Sequence, residues 1–548
     1  MAVYTTGMML KDAAFPLMSK LSGRPVIIKN LDVDSIDAKA PVAAKTDYFE
    51  TVNKPVALYC ENVLPKNGGY QSVGYVTLMN SILPVKTAQR VYSTQVHDFA
   101  TGLNSQDIVI TFGTDITAHT SYIEYMMNGL HAILALPVGY ANPTYISLIE
   151  LDGGAYFLFS DGATTQLYDF ATTAGIPSWN LITPTGISTF DFNQCFYGCS
   201  AGNYIILAKP DGTVFWNNPN INTDFAPSLT TGAGTVVPAT MNGQITGLQS
   251  WVDGYVIHTT KGTLLARYSQ NAQSPWQFSA IYGSVPVVRS RITNKLAVTV
   301  ARDEITHYAY TTSGIMSFNM VQGYTGLYPE VSDFFAGEIY EMLVNGSPVV
   351  TSPSPTDTVE QVDVMVTRIG SRYIVFSYGR NASVNPHFQF ALIYDSHLNR
   401  WGKLRIDHIE PVYLPSTLSG VEVLMNIGFL DTNANIQMAY TNAEYNGTPF
   451  THNGVVIFGG LSLVRGNIIG MNMIEANIGI DNPACSLAAA ISPDNQNYSS
   501  FTPLTPIALG NGVGKWGCKN AATYHAFSLT GRFNITSLQF KYFKAGNR

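Results

Sequence analysis

Two cysteines, Cys195 and Cys199, lie four residues apart, and thiolates at such close spacing can supply part of a metal site. A tetrahedral zinc site needs four ligands, and the sequence places neither a second cysteine pair nor a histidine cluster nearby. The ten histidines are dispersed, and His258 lies inside a predicted strand. We therefore interpret the five cysteines as buried thiols that pack like small apolar residues, and we predict no metal site.

Two further segments have part of a ligand-binding pattern, and each departs from it at a required position. Residues 32–37 begin with aspartates at alternate positions, as a calcium loop does, but Ile36 stands where an oxygen ligand is needed. Residues 510–516 look like a phosphate-binding loop, but Trp516 replaces the hydroxyl residue that would hold magnesium. The sequence therefore predicts no cofactor site.

Acid–base catalysis by carboxylates needs two of them to face each other across a cleft. Asp303 and Glu304 are adjacent, and neighbouring residues of a strand point to opposite faces, so this pair does not converge. The sequence also lacks His-Glu-x-x-His, Gly-x-Ser-x-Gly and paired Cys-x-x-Cys motifs. We therefore predict that the protein is not an enzyme, and we assign no catalytic residue.

The composition favours a β-rich protein with a weakly charged surface. Charged residues form only 12% of the 548, about half the usual share, whereas Gly (47), Tyr (31) and Phe (27) are abundant. A net charge of −7 disfavours a nucleic-acid-binding surface, which requires a basic stripe. The composition also suits a protein that buries surface against neighbours, because interfaces favour aromatic residues and are depleted in Lys and Glu.

A strand–turn–strand phrase recurs along the chain, most clearly at 202–216, where a Pro-Asp-Gly turn separates two apolar runs. Further copies lie at 152–162 and 253–263. We mark the position of each copy by one residue of its apolar run and call that residue the anchor. Most anchors follow one another at intervals of about 50 residues, which is the spacing of propeller blades. The anchors are Ile108, Tyr156, Tyr204, Tyr255, Leu296, Tyr373 and Val423.

The repeat predicts an all-β fold that contains a β-propeller of about six to seven blades. An extended N-terminal arm at 1–57 precedes the predicted propeller at 58–442. The repeat phrase stops after about residue 442, and 443–548 is predicted to form a C-terminal β-sandwich-like domain.

Three segments leave the local structure open. The 77-residue step between Leu296 and Tyr373 has room for a degenerate copy of the repeat near 337–344. Residues 121–136 are the best helix candidate, because their apolar residues follow a helical spacing. Residues 531–542 alternate like a strand of the C-terminal domain, or alternatively complete a blade begun by the N-terminal part.

Three motifs occur in a distinctive order. The first is NVLPKNGGYQSVGY at 62–75, and the second is WVDGY at 251–255 with KGT at 261–263 and WQF at 276–278. The third is ALIYDSHLNRW at 391–401, in which Tyr and Trp flank a turn that the Asp and Asn between them can cap. Together they resemble segments of the tail-tube nozzle, hub or tail stabilisation proteins of short-tailed (podovirus-type) bacteriophages.

This resemblance implies a structural virion protein that forms a hexameric ring, the distal tail tube, below the portal and adaptor. The implied partners are tail adaptor or head–tail connector proteins, tail fibres, a needle or plug, and the host outer surface. DNA would pass through the lumen without specific binding, which agrees with a net negative charge. The expected location is the virion tail, assembled in the host bacterial cytoplasm, because the first residues lack a signal-peptide pattern.

Two other functions are compatible with the sequence. A propeller that binds receptors or glycans would use the aromatic turns and the Asn- and Asp-rich loops for stacking and hydrogen bonding. A propeller glycosidase would need two carboxylates about 5–10 Å apart across a cleft, and a sequence does not show such a distance. We keep the glycan-binding propeller as the alternative to the tail-tube subunit.

Overall fold

The structure is a computed structural model of the 548-residue chain. It describes residues 4–9, 15–19, 25–28, 56–66, 69–83, 86–98, 105–115, 117–118, 120–137, 143–173, 175–269, 271, 274–281, 283–300, 305–319, 323–326, 339–340, 343–344, 347–348, 362–380, 387–398, 400–416, 426–441, 444–445, 448–449, 454–461, 467–479, 485–493 and 497–547.

Seven successive groups of four antiparallel strands form the blades of a β-propeller. Blade 1 contains Lys86–Val96, Gln106–Asp115, Thr120–Met127 and Leu130–Ala135. Blade 2 contains Tyr145–Leu151, Gly154–Ser160, Thr165–Thr173 and Ile176–Ile182. Blade 3 contains Tyr197–Ala201, Tyr204–Ala208, Val214–Trp216 and Gly234–Val236. Blade 4 contains Ile245–Trp251, Gly254–Thr259, Gly262–Tyr268 and Trp276–Ala280.

The remaining three blades follow the same order. Blade 5 contains Val298–Val300, Thr306–Thr311, Gly314–Asn319 and Gly323–Gly326. Blade 6 contains Val362–Ile369, Tyr373–Arg380, Phe388–Asp395 and Arg400–His408. Blade 7 contains Glu410–Tyr413, Ile427–Leu430, Ile436–Tyr440 and Gly74–Met79. The predicted all-β propeller is therefore confirmed, with seven blades.

The first strand of each blade is the innermost one. The first strands of blades 1 to 4 lie against one another in order, those of blades 5 to 7 do the same, and that of blade 7 returns to blade 1. Blades 4 and 5 are joined by an apolar cluster in which Val256 and Leu265 pack with Ala309 and Phe318. The blades therefore close into a ring around one axis.

The second strand of each blade explains the sequence repeat. Five anchors, Ile108, Tyr156, Tyr204, Tyr255 and Tyr373, lie on second strands, so the repeat is confirmed there. In blades 2, 3 and 4 every residue of this strand is buried, because neighbouring blades cover both of its faces. Strands covered on both faces have continuous apolar runs, and those runs are the recurring phrase of the sequence.

The other two anchors behave differently. Leu296 lies before the first strand of blade 5, whose second strand is Thr306–Thr311, so its assignment as an anchor is wrong. Val423 lies outside the described residues.

The degenerate blade predicted near 337–344 is also wrong for the residues described there. Ile339–Tyr340 pairs with Phe15–Ser19, which in turn pairs with Pro25–Ile28. Leu343–Val344 pairs with Ser347–Pro348 and, in parallel, with Asn497–Tyr498 of the C-terminal part. The described strands of this stretch therefore pair with the N-terminal and C-terminal parts of the chain and with each other.

The helix predicted at 121–136 is wrong, because this segment forms a hairpin from the third and fourth strands of blade 1. Asn128 and Gly129 form its turn with φ angles of 50° and 76°. Positive φ at both central residues is the requirement of a tight hairpin turn, which a helix would not tolerate. The helix among the described residues is a single turn, Thr189–Phe192, between blades 2 and 3.

The propeller is closed by a strand from the N-terminal part of the chain. Gly74–Met79 is the outermost strand of blade 7 and pairs with Ile436–Tyr440. Residues 531–542, predicted either as a strand of the C-terminal domain or as the completion of a blade begun by the N-terminal part, do each in part: Ser537–Asn547 pairs with Asn467–Asn477 in the C-terminal domain, whereas Asn534–Ile535 pairs with Gly69–Ser72. Two further N-terminal strands extend blade 6, first Val63–Lys66 and then Gly69–Ser72, which reaches Asn534–Ile535.

The predicted β-sandwich-like domain is present as two sheets, but they are not made from the C-terminal part alone: Tyr4–Met9 of the predicted N-terminal arm and Val56–Glu61, at the predicted boundary between arm and propeller, each add a strand. One sheet contains Tyr4–Met9, Ser537–Asn547, Asn467–Asn477, Val513–Gly517, Thr505–Gly510 and Ala521–Ala522. The other contains Val56–Glu61, Gly454–Leu461, Tyr524–Gly531, Cys485–Ser492 and Thr502–Pro503. A short hairpin, Glu444–Tyr445 with Thr448–Pro449, precedes them.

One apolar core joins the sandwich to the propeller. Phe527 and Phe540, from opposite sheets of the sandwich, stack with their ring centroids 5.3 Å apart. The same buried cluster includes Phe376 and Trp401 of blade 6. Burial of this continuous apolar surface fixes the sandwich against blade 6.

Candidate functional site

The first motif of the sequence, NVLPKNGGYQSVGY, holds three parts of the molecule together. The side-chain oxygen of buried Asn62 accepts hydrogen bonds from the Tyr75 hydroxyl and from the backbone N–H of Arg405, both at 2.9 Å. A Cβ atom at Gly69 would lie 1.8 Å from the carbonyl oxygen of Ile535, so a larger residue has no space there. These contacts join blade 6, blade 7 and the sandwich.

The third motif forms a capped turn at the end of blade 6. The buried Asp395 carboxylate accepts hydrogen bonds from Nε and Nη2 of Arg372, at 2.8 and 2.6 Å, and from backbone N–H groups of the turn that follows. The rings of Tyr394 and Trp401 pack with centroids 5.0 Å apart. Capping by Asp395 is therefore confirmed, whereas Asn399 lies outside the described residues.

Four buried histidines are packed into the sheets. Burial lowers the pKa of His258 and His307 to about 3, and that of His408 and His525 to about 4. His258 lies on the second strand of blade 4, and the His307 ring lies 4.9 Å from that of Phe318. A general acid or base works best with a pKa near the operating pH, so these imidazoles are suited to packing.

The cysteines are free thiols. Cys195 and Cys199 are buried, and burial raises the pKa of both above the ordinary value of a thiol. Cys60 and Cys518 are also buried, and Cys485 is partly exposed. Within the described ranges, no group of three or more His, Cys, Asp or Glu side chains is placed to hold a metal ion.

Of the two segments with partial ligand-binding patterns, the structure describes the one at 510–516. Residues 510–516 belong to a hairpin between Thr505–Gly510 and Val513–Gly517, and Lys515 pairs with Glu475 at 3.0 Å. Residues 32–37 and 303–304 lie outside the described residues.

The propeller axis contains a group of aromatic and cationic side chains. The innermost strands of blades 1 to 5 surround a cavity of about 270 Å³. The guanidinium of Arg289 lies 5.8 and 5.5 Å from the ring centroids of Tyr145 and Tyr197, and Lys295 Nζ lies 3.8 Å from that of Tyr92. The side chains of these cation–π contacts line the cavity.

A larger cleft, of about 830 Å³, lies between blades 3 and 4. Each of the two blades contributes the turn between its first and second strands, at 202–203 and 252–253. Blade 4 also contributes Arg267 and Tyr268 from the end of its third strand and Trp276 from the start of its fourth. The cleft is therefore positioned by rigid sheets and opens among their connecting turns.

Aromatic rings form one wall of this cleft, which we call the blade 3–4 cleft. Trp276 packs edge-on against Tyr204 and Tyr268, with centroids 5.3 and 5.8 Å apart. The Arg267 guanidinium lies 5.6 Å from the ring centroid of Trp251. Tyr268 is 49% exposed, whereas Tyr204, Trp251 and Trp276 are buried. The arrangement offers a ring surface beside polar groups, which is typical of small-molecule sites.

The sequence predicts no residue of this cleft, and Tyr204 enters the sequence analysis only as an anchor of the repeat. Trp216 of the same repeat copy is buried and donates its indole N–H to the carbonyl of Gly232 at 2.7 Å. The second motif supplies Trp251, Asp253 and Trp276 to the cleft. An aromatic residue beside an Asp-Gly turn was therefore the available signal.

A second surface feature is an exposed apolar band. Between residues 176 and 237, six large apolar side chains are each more than half exposed. They are Ile176, Leu181, Phe190, Ile221, Leu229 and Val237. All of them lie in blades 2 and 3 or in the segments that connect and follow their strands. Exposed apolar residues that form a contiguous patch mark an interaction site, and these six belong to two neighbouring blades.

No protein-family model and no curated protein matches this chain. Among solved structures, it is similar to the WD40 domain of Toxoplasma gondii coronin, with a TM-score of 0.34 and 9% identity over 68% of this chain and 91% of that one. A chain of the mitotic checkpoint complex gives 0.30 and 12% over 66% and 97%, and a chain of S. cerevisiae core factor gives 0.34 and 9% over 85% and 62%. These scores are low, and the propeller assignment rests on the order of the sheets.

The described part of the chain contains no helix with the length and apolar character needed to cross a bilayer.

Proposed function

We propose that this chain is a structural virion protein, a subunit of the ring that forms the distal tail tube of a short-tailed bacteriophage. The observation that carries the proposal is the exposed apolar band on blades 2 and 3. Water contact with several large apolar groups is unfavourable, and a second copy of the chain would remove them from water.

The position of the sandwich supports a ring rather than a two-fold dimer. In a closed ring of seven blades, blades 2 and 3 lie on the opposite side from blade 6, which carries the sandwich. A contact between the band of one copy and the sandwich side of the next would join two different surfaces. Such head-to-tail contacts generate a ring when the rotation between neighbours closes.

In this proposal DNA does not pass along the propeller axis of a single subunit. The cavity of about 270 Å³ among the innermost strands holds Arg289, Lys295 and their aromatic neighbours. A DNA duplex is far wider than such a cavity, so in this proposal it passes through the lumen between subunits. The adaptor would then bind one face of the ring, and fibres or a plug the other.

Electron microscopy and native mass spectrometry of the purified chain test the proposal. We expect a closed ring, hexameric by the resemblance, with a central channel. A chain that remains monomeric at micromolar concentration, together with its absence from tail particles, would contradict the proposal.

The alternative, a propeller that binds receptors or glycans, is favoured by one observation, the blade 3–4 cleft. Both roles are compatible within one virion protein, because the cleft and the exposed apolar band are made from different residues.

A further inference from the structure

We infer that the blade 3–4 cleft binds one pyranose unit of a glycan. Its volume of about 830 Å³ lies in the usual range of small-molecule sites. The residues that line it come from one chain, so binding does not require the proposed ring. This site therefore goes beyond the tail-tube role and stands or falls separately from it.

Tyr268 supplies the stacking surface. Its ring is 49% exposed, yet it is held by Trp276 and Tyr204, whose centroids lie 5.8 and 6.3 Å away. A ring that is already held in place loses little conformational freedom when a ligand covers it. The apolar C–H face of a pyranose packs on such a ring, while its hydroxyl groups point toward the rim.

The polar groups of the rim fit a neutral ligand with many hydroxyl groups. Asn203, Asn220 and Asp253 are exposed there, and amide and carboxylate groups pair with hydroxyls as donors and acceptors. Among the described lining residues, Arg267 is the one cation; it lies over Trp251, and Asp253 balances its charge. Phosphate recognition favours several cationic groups, and a wholly apolar ligand would bury rim groups without partners.

Buried donors in the wall point the same way. The indole N–H groups of Trp251 and Trp276 and the Tyr255 hydroxyl have no hydrogen-bond partner within the described part of the chain. All three side chains are more than nine-tenths buried. Buried polar atoms in proteins nearly always have partners, so this group needs an explanation. Both tryptophans line the cleft, whereas Tyr255 lies behind its lining; the two indole N–H groups are buried in the wall, so a sugar hydroxyl would reach them only if the wall opened.

Saturation-transfer NMR and calorimetry with the full chain test the site. The probes are methyl pyranosides of glucose, galactose, mannose, N-acetylglucosamine and rhamnose, with inorganic phosphate and a short oligothymidylate as the other ligand classes. We expect at least one pyranoside to bind and the other classes not to bind. Tyr268→Ala should weaken that binding at least about fivefold, because stacking is lost while the fold is kept.

Tyr413→Ala is the matched control, because Tyr413 is also an exposed tyrosine at a strand end but belongs to blade 7. It should bind the sugar as the unaltered chain does. The inference is overturned if no pyranoside binds, if phosphate or oligothymidylate binds in its place, or if the two variants lose equal affinity. Failure of ring assembly with sugar binding intact would contradict the tail-tube proposal alone.

Discussion

Lys295 Nζ lies 2.5 Å from Glu410 Oε1 and thereby ties the segment before blade 5 to the first strand of blade 7. The other carboxylate oxygen of Glu410 accepts a hydrogen bond from the backbone N–H of Val91 in blade 1, at 3.1 Å. Three blades that are not all sequence neighbours therefore meet at one ion pair beside the propeller axis.

Replacement of Lys295 by methionine should destabilise the propeller by roughly 2–4 kcal/mol, because it leaves the nearly buried Glu410 carboxylate without its counter-charge. Chemical denaturation followed by tryptophan fluorescence measures this change. Lys515→Met is the matched control, since its pair with Glu475 is more exposed and should contribute less than about 1 kcal/mol. Equal effects of the two substitutions would show that the axial pair has no special role.

Gly69→Ala should loosen the junction between the N-terminal hairpin and the sandwich. The added Cβ would lie 1.8 Å from the carbonyl oxygen of Ile535, so strands must separate, at a cost of about 1–3 kcal/mol or more. Limited proteolysis and thermal denaturation measure the loss. Gly517→Ala is the control, because its nearest neighbour, the Ile507 Cδ1 atom, would be 3.8 Å away. Unchanged stability of the Gly69 variant would contradict the close approach.

Stability should fall as the pH is lowered from about 6.5 toward 3. Burial lowers the pKa of His258 and His307 to about 3, so both are neutral when folded, whereas the unfolded chain binds protons below about pH 6.5. The stabilisation from keeping these histidines neutral is therefore fully present above about pH 6.5. Below that pH, each histidine lowers the free energy of unfolding by about 1.4 kcal/mol per pH unit. Denaturation midpoints between pH 7 and 4 measure the slope.

The variant His307→Phe tests whether His307 causes part of this dependence of stability on pH. The phenyl ring keeps the packing against Phe318 and removes the group that takes up a proton on unfolding, so the slope should become shallower. His397→Gln, at an exposed position, serves as the control and should keep the slope of the unaltered chain. A slope that is the same in both variants would exclude His307 as its source.

The exposed apolar band should control assembly. Phe190→Ser combined with Leu229→Ser should convert the proposed ring to monomers, because two side chains that are 72% and 66% exposed would no longer leave water on association. Analytical ultracentrifugation gives the distribution, and circular dichroism shows whether the fold is kept. Leu130→Ser is the control, because it alters a 49% exposed apolar residue of blade 1, outside both surfaces of the proposed contact, and should leave most rings intact. Rings that persist in the double variant would refute the proposed contact.

The repeated apolar runs of the sequence correctly predicted the central strands of the blades. The second strands of blades 2, 3 and 4 are buried on both faces, and the residues around Tyr156, Tyr204 and Tyr255 therefore repeat as apolar runs after glycine turns. The hairpin at 121–136 was missed because its apolar residues also fit a helical period. There, the positive φ angles of the turn and pairing within blade 1 decide the structure.

The candidate site was beyond local pattern because two blades build it. Tyr204 and Tyr268 are 64 residues apart in sequence, yet their ring centroids lie 6.3 Å apart. Only the stacking of blade 3 on blade 4 brings them together, and neither segment differs by itself from an ordinary strand end. The aromatic and acidic residues of the second motif are visible in the sequence, but the sequence does not show that they lie close together in the folded chain.

Closure of blade 7 by Gly74–Met79 also has a consequence for synthesis. Thr77 donates a hydrogen bond to Gln437, 360 residues later, so the early strand leaves the ribosome long before its partner exists. At about 5–20 residues per second, this interval lasts roughly 20–70 seconds. During that time the strand has an open edge, and the ring of blades closes only after Ile436–Tyr440 has been synthesised.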